Sequence, residues 1–86
     1  MLTVKRYTAP WCGPCKQLAP VFEELKNEIT EVTFQTIDVD QNRESAIAEG
    51  IVSVPTVLLE KDGEMVYRFS GVLPKSVIAG VIKKFL

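Results

Sequence analysis

Histidine is absent from this 86-residue chain, and cysteine occurs only twice. Without histidine, the commonest general base and the commonest metal ligand are both missing. Zinc and iron–sulfur sites usually take four ligands, so two cysteines offer half of one. No apolar run approaches the roughly 20 residues that a membrane-crossing helix needs. Met1-Leu2-Thr3-Val4-Lys5-Arg6 places its basic residues after a short apolar stretch, with no long apolar segment before the cysteines. That pattern predicts no signal peptide, and hence a reducing, cytoplasmic compartment. An excess of charge is missing too. Ten basic residues against eleven acidic ones leave a net charge of -1, which predicts neither a nucleic-acid nor a membrane partner. Internal repeats, linkers and low-complexity segments are absent, so residues 1–86 are expected to form one domain with a modest core.

What is present is concentrated in one stretch. Trp11-Cys12-Gly13-Pro14-Cys15 holds both cysteines and the chain's only tryptophan. Two thiols at this spacing can close a small disulfide ring and open it again. In a reducing compartment a lone pair is more often catalytic or metal-binding than structural.

The elements around that stretch can be read in order. Leu2 to Thr8 has strand composition, although Lys5 and Arg6 are unusual for a buried strand. Pro14 suits the first turn of a helix, where its missing N–H is not needed. Leu18, Val21, Phe22, Leu25 and Ile29 then recur at spacings of three and four, predicting one helix to about Ile29, kinked at Pro20. Val32 to Val39 reads as a second strand. Asp40-Gln41-Asn42 offers side chains suited to start a short helix over Arg43 to Glu49, closed by Gly50. Ile51 to Val54 is pushed into extended geometry before Pro55. Thr56 to Glu60 and Glu64 to Phe69 read as a hairpin around Asp62-Gly63. Pro74 opens a last helix with an apolar face of Val77, Ile78, Val81, Ile82 and Phe85. The predicted class is α/β, in the order β-α-β-α-β-β-α, with a four-stranded mixed sheet whose first two strands are parallel.

This order and its motifs resemble the thioredoxin family. Trp11-Cys12-Gly13-Pro14-Cys15-Lys16 matches the family's active-site motif, and Ala19-Pro20 its kinked helix. Ile37-Asp38-Val39-Asp40 resembles the end of its second strand. Val54-Pro55-Thr56 matches its cis-proline loop, Lys61-Asp62-Gly63-Glu64 its hairpin, and Gly71 its late glycine. The resemblance spans essentially the whole chain and departs in two places. The usual opening strand and helix are missing, implying a minimal thioredoxin fold. Arg6 stands where the family usually carries a buried aspartate, so the proton-moving role ascribed to that aspartate does not transfer.

The resemblance implies a thiol-disulfide oxidoreductase that reduces protein disulfides. Cys12, where a strand gives way to a helix, would be the nucleophile, because N–H groups and the positive end of the helix dipole favour its thiolate. Cys15, one turn later and shielded, would resolve the mixed disulfide. Gly13 and Pro14 add no positive charge between them, which by resemblance suits the pair to donating electrons. Trp11, Pro14, Val54 and Gly71 would form a shallow apolar rim for client proteins, with Pro55 in the client-facing loop. Lys16 is read equally as a tuner of Cys12 and as a solvated charge. Arg6 either buries its stem and carries its charge to water, or favours the Cys15 thiolate. No bound cofactor is implied; electrons would come from a separate reductase, an NADPH-dependent flavoprotein by resemblance. A monomer working in electron transport and cell redox homeostasis is expected. Three alternatives remain open from the residues alone: a glutathione-fed, glutaredoxin-like cycle, a metal site shared by two copies, and a binding module.

Overall fold

The computed structural model describes all 86 residues. Four strands and three helices alternate as β1 (Leu2–Thr8), α1 (Gly13–Glu28), β2 (Thr33–Asp38), α2 (Arg43–Ala48), β3 (Thr56–Lys61), β4 (Glu64–Ser70) and α3 (Lys75–Lys84). The sheet order is β2-β1-β3-β4. β1 runs parallel to β2 and antiparallel to β3, and β3 pairs antiparallel with β4. The sheet is therefore mixed, with the expected parallel first pair and hairpin.

Alternation along β1 and β3 divides the interior. Leu2 and Val4 of β1 and Val57 and Leu59 of β3 pack with Leu18, Phe22 and Leu25 of α1 and Ile78 and Ile82 of α3. Tyr7 and Leu58, of opposite parity, face the other way and pack with Ala46 of α2. Two helices thus cover one face and one short helix the other. Successive side chains of a strand point to opposite faces, so β1 and β3 are buried on both.

The two charged residues of β1 follow the same parity. Lys5 lies on the α2 side, where its ammonium is 3.0 Å from Glu60 and 3.8 Å from Glu49. Its hydrogen bond to Glu60 raises its pKa against the lowering effect of burial. Arg6 lies on the α1 side, its guanidinium 5.4 Å from the centre of the Phe22 ring.

Several boundaries differ from the sequence reading, each for a local reason. β2 stops at Asp38 because that carboxylate turns back on the chain, accepting from the N–H groups of Asp40 at 2.8 Å and Gln41 at 3.4 Å. Asn42 occupies the N-cap of α2 but makes no capping bond; its amide donates to the Asp38 carbonyl at 3.0 Å instead. Pro74 opens α3 as expected, from the N-cap position. Val77, assigned to the apolar face of that helix, is exposed, while Ile78 and Ile82 are fully buried. α1 is one continuous helix with Pro20 inside it. At the hairpin, Asp62 and Gly63 have φ of 53° and 87°, the two positive values that a tight two-residue turn requires.

Candidate functional site

The chain leaves β1 at Thr8 and turns into α1 within four residues, a turn fastened by the Cys12 N–H donating to the Ala9 carbonyl at 3.2 Å. Cys12 is the N-cap of α1, in extended geometry with φ -92° and ψ 110°. Gly13 and Pro14 form the first helical positions, so the missing N–H of proline falls where no intrahelical acceptor exists. The N–H of Cys15 donates to Cys12 Sγ at 3.2 Å. That contact puts a donor, and the positive end of a 16-residue helix, on one sulfur. Such a setting favours negative charge there whenever the thiol is reduced.

Cys12 and Cys15 are joined as a disulfide, their Cα atoms 5.3 Å apart. Cys15 is 2% exposed and Cys12 5%, so both sulfurs lie low in the surface and the difference between them is small. Ala9, Val39 and Val54 pack around the pair. Val54 precedes Pro55 across a cis peptide bond. Pro55 is buried, and its carbonyl accepts the Gly71 N–H at 2.9 Å. Gly71 has φ 86°, a left-handed conformation that suits glycine.

Trp11 is 68% exposed, and its indole N–H donates to Asp40 at 2.9 Å. That bond fixes the ring beside an apolar groove of about 150 Å³ lined by Trp11, Val39, Ile51, Val52, Ser53 and Val54. The groove brings Trp11 and Val54 together as the sequence reading expects. Pro14 and Gly71 do not line it: Pro14 stands exposed at the helix mouth, and Gly71 reaches the site through the Pro55 carbonyl. Sequence reasoning missed Asp40 as the partner of the indole, because Asp40 read as the end of a strand motif and as a residue suited to start α2, with nothing to tie it to Trp11. It also missed Val39, Ile51, Val52 and Ser53 as lining, since no periodicity joins the end of β2 to the loop before Pro55.

The two residues considered as tuners lie differently. Lys16 is exposed and makes no ion pair. Arg6 is 8% exposed and donates to the Thr36 hydroxyl at 3.3 Å, while its Nε has no partner. Burial lowers the pKa of its guanidinium, and Glu23 acts in the opposite direction. No cluster of three or more histidine, cysteine, aspartate or glutamate side chains is placed to hold a metal ion.

A family model for thioredoxin matches residues 2–84. The chain belongs to the thioredoxin family. It is 46% identical over 81 residues to the thioredoxin of Bacillus subtilis, covering 93% of this chain and 78% of that protein. Against the thioredoxin of Listeria monocytogenes it is 41% identical over 86 residues, covering 99% and 84%. Among solved structures, Fasciola hepatica thioredoxin superposes with a TM-score of 0.91 at 42% identity, over 96% of this chain and 79% of that one. A mutant thioredoxin from Halobacterium salinarum gives the same score at 37% identity, over 98% and 74%. Thioredoxin-family membership and the Cys12–Cys15 disulfide make this protein a thiol-disulfide oxidoreductase acting on protein disulfides, with that cysteine pair as its redox-active centre.

Proposed function

We propose that this protein is a thioredoxin-type electron donor that reduces client disulfides, with Cys12 as nucleophile and Cys15 as resolving thiol. The observation that carries the assignment is the Cys15 N–H at 3.2 Å from Cys12 Sγ, at the open end of α1. It supports Cys12 as the sulfur whose thiolate is favoured, and the thiolate is the attacking species.

In the first exchange the Cys12 thiolate attacks one sulfur of a client disulfide. A Cys12–client bond forms, the client S–S bond breaks, and the second client sulfur leaves as a thiolate and takes a proton. Cys15, losing its proton, then attacks Cys12 Sγ. The Cys12–Cys15 bond forms as the Cys12–client bond breaks, and the client's first sulfur leaves as a thiolate and takes a proton, so that the client departs with both sulfurs reduced. Two electrons pass to the client, and the protein is left as the disulfide. Holding Cys15 one helical turn from Cys12 gives the second exchange a high effective concentration.

Trp11, Gly13, Pro14, Val54, Pro55 and Gly71 make up the client surface in this reading. Trp11 and Val54 offer apolar area on the groove, and the backbone beside Val54 offers pairing to an extended client segment. Such a surface suits many clients with weak discrimination. Recycling the disulfide takes two electrons from a separate dithiol or flavin reductase, an NADPH-dependent flavoprotein in the reading taken here. No bound cofactor enters these steps. The remaining parts of the proposal are a single-domain monomer, a cytoplasmic setting, and a place in cellular electron transport and redox homeostasis. Arg6 and Lys16 enter as candidate electrostatic tuners of the two thiols.

Reduction of insulin by dithiothreitol tests the assignment, with wild type compared to Cys12→Ser and metal content read on the same samples. The expected result is an acceleration that disappears in the variant. A folded wild type that gives none would indicate a binding module. One zinc or iron per two chains would make the cysteines ligands and overturn the mechanism.

A further inference from the structure

Arg68 of β4 reaches across the sheet to the far end of α2. Its two terminal nitrogens donate to consecutive backbone carbonyls, Nη1 to Glu49 at 3.0 Å and Nη2 to Gly50 at 2.7 Å. These carbonyls belong to the C-cap residue of α2 and to the glycine that follows it. α2 has six residues and no basic side chain in its last turn. Its end is closed by the Gly50 N–H on the Ile47 carbonyl at 3.0 Å and the Ile51 N–H on the Ala46 carbonyl at 2.9 Å, with Gly50 at φ 69°. That pair of bonds satisfies the carbonyls of Ala46 and Ile47. Those of Glu49 and Gly50 are met by a charged fork, whose two parallel donors also set the direction of the backbone they hold.

The segment so held runs directly into the groove. Ile51, Val52, Ser53 and Val54 line it; Ile51 and Val54 rest on the core, but Val52 is 93% exposed and Ser53 is exposed too, so packing restrains the middle of this stretch little. Its far end is anchored by β4 and the residue after it. Thr56 donates to the Ser53 carbonyl at 2.8 Å and its hydroxyl lies 3.0 Å from that of Ser70. The Gly71 N–H meets the Pro55 carbonyl. Arg68 supplies the matching anchor at the near end.

We infer that Arg68 is a positioning residue for client docking, fixing the Gly50–Ser53 backbone so that the groove beside the cysteines is preformed. The inference rests on the reading of the Val54–Pro55 loop as the client-facing segment. Binding to a segment already in its bound conformation avoids an ordering cost that a loose segment would add. The effect therefore falls on client affinity and not on sulfur exchange.

The test compares wild type, Arg68→Met and Arg68→Lys, which keeps the charge and loses the fork. Val54→Asp serves as a control on the groove itself. Arg68→Met is expected to raise KM for a protein disulfide by about threefold to tenfold with kcat unchanged, and Arg68→Lys to fall between. Amide exchange at residues 50–53 should quicken, while the rate with a small aromatic disulfide, which needs no groove, stays at the wild-type value. If Arg68→Met fails to fold, the same comparison is made with Arg68→Lys. Faster exchange with unchanged KM would overturn the inference, as would an equal loss with protein and small-molecule disulfides. An unchanged KM in Val54→Asp would instead remove the docking role of the loop, and the inference with it. A raised KM in Val54→Asp with Arg68→Met silent would remove Arg68 alone.

Discussion

Arg6 is a cation held between α1 and the sheet with few groups to answer it: one hydroxyl, the face of Phe22, and an Nε left without a partner. Glu23 influences it but is not within ion-pair distance. A charge taken out of water without a carboxylate contact is costly, and an apolar side chain of similar length often does as well. Arg6→Met is therefore expected to leave stability within about 1 kcal/mol of wild type or raise it, whereas Arg6→Ala leaves unfilled space and loses about 2 kcal/mol or more. Urea unfolding midpoints distinguish the two. A third variant addresses the proposed tuning. If the Arg6 charge favours the Cys15 thiolate as proposed, Arg6→Gln should move the titration of that thiol upward. An unmoved titration in the reduced protein would remove Arg6 from the mechanism.

Among the elements, α3 separates pattern from burial. Its sequence offers five apolar positions for one face, yet Ile78 and Ile82 alone are fully buried, packed with Val57 and Leu59 of β3 and Leu18 and Leu25 of α1. Val81 and Phe85 lie at the margin, and Val77 points to solvent. A helix laid on a sheet buries a stripe about 100° wide, and Val77 falls beyond that stripe's edge. Ile78→Ala and Ile82→Ala are each expected to cost about 2 to 5 kcal/mol, while Val77→Ala should stay within about 0.5 kcal/mol of wild type. Thermal or urea unfolding of the three variants would check the assignment. Comparable losses at all three would mean that α3 packs differently from the structure described above.

For the molecule as a whole, the redox state and the folding equilibrium are linked. The Cys12–Cys15 bond closes a very short loop, and chain-entropy reasoning assigns so short a loop about 2 kcal/mol. The oxidised protein is therefore expected to unfold at higher urea than the dithiothreitol-reduced one, by about 2 kcal/mol in extrapolated stability. Equal midpoints, or a more stable reduced form, would mean that the reduced site gains compensating interactions. Since Cys15 N–H already points at Cys12 Sγ, the first interaction to examine would be that hydrogen bond to the thiolate. Amide exchange at Cys15 in the reduced state would reveal it.

Local chemistry made much of this readable from the chain alone. Alternation and three-to-four spacing identify the strands and helices, Asp62-Gly63 marks the hairpin, and two cysteines separated by Gly13-Pro14 mark the redox pair at a helix mouth. Each of these signals lies within a few residues of what it specifies. The remainder depends on residues brought together from distant parts of the chain. The Trp11–Asp40 bond spans 29 positions and the Arg68 contacts with Glu49 and Gly50 span 19 and 18. No local pattern records such pairings. They exist because the strand order β2-β1-β3-β4 places the end of β2, the loop after α2 and the mouth of α1 at one end of the sheet, with Arg68 of β4 beside that loop. The sequence by itself determined the chemistry of the two sulfurs and the elements that carry them. Tertiary structure decided which side chains surround those sulfurs, because only strand order and register bring Val39, Val54 and Asp40 beside Trp11 and the cysteine pair.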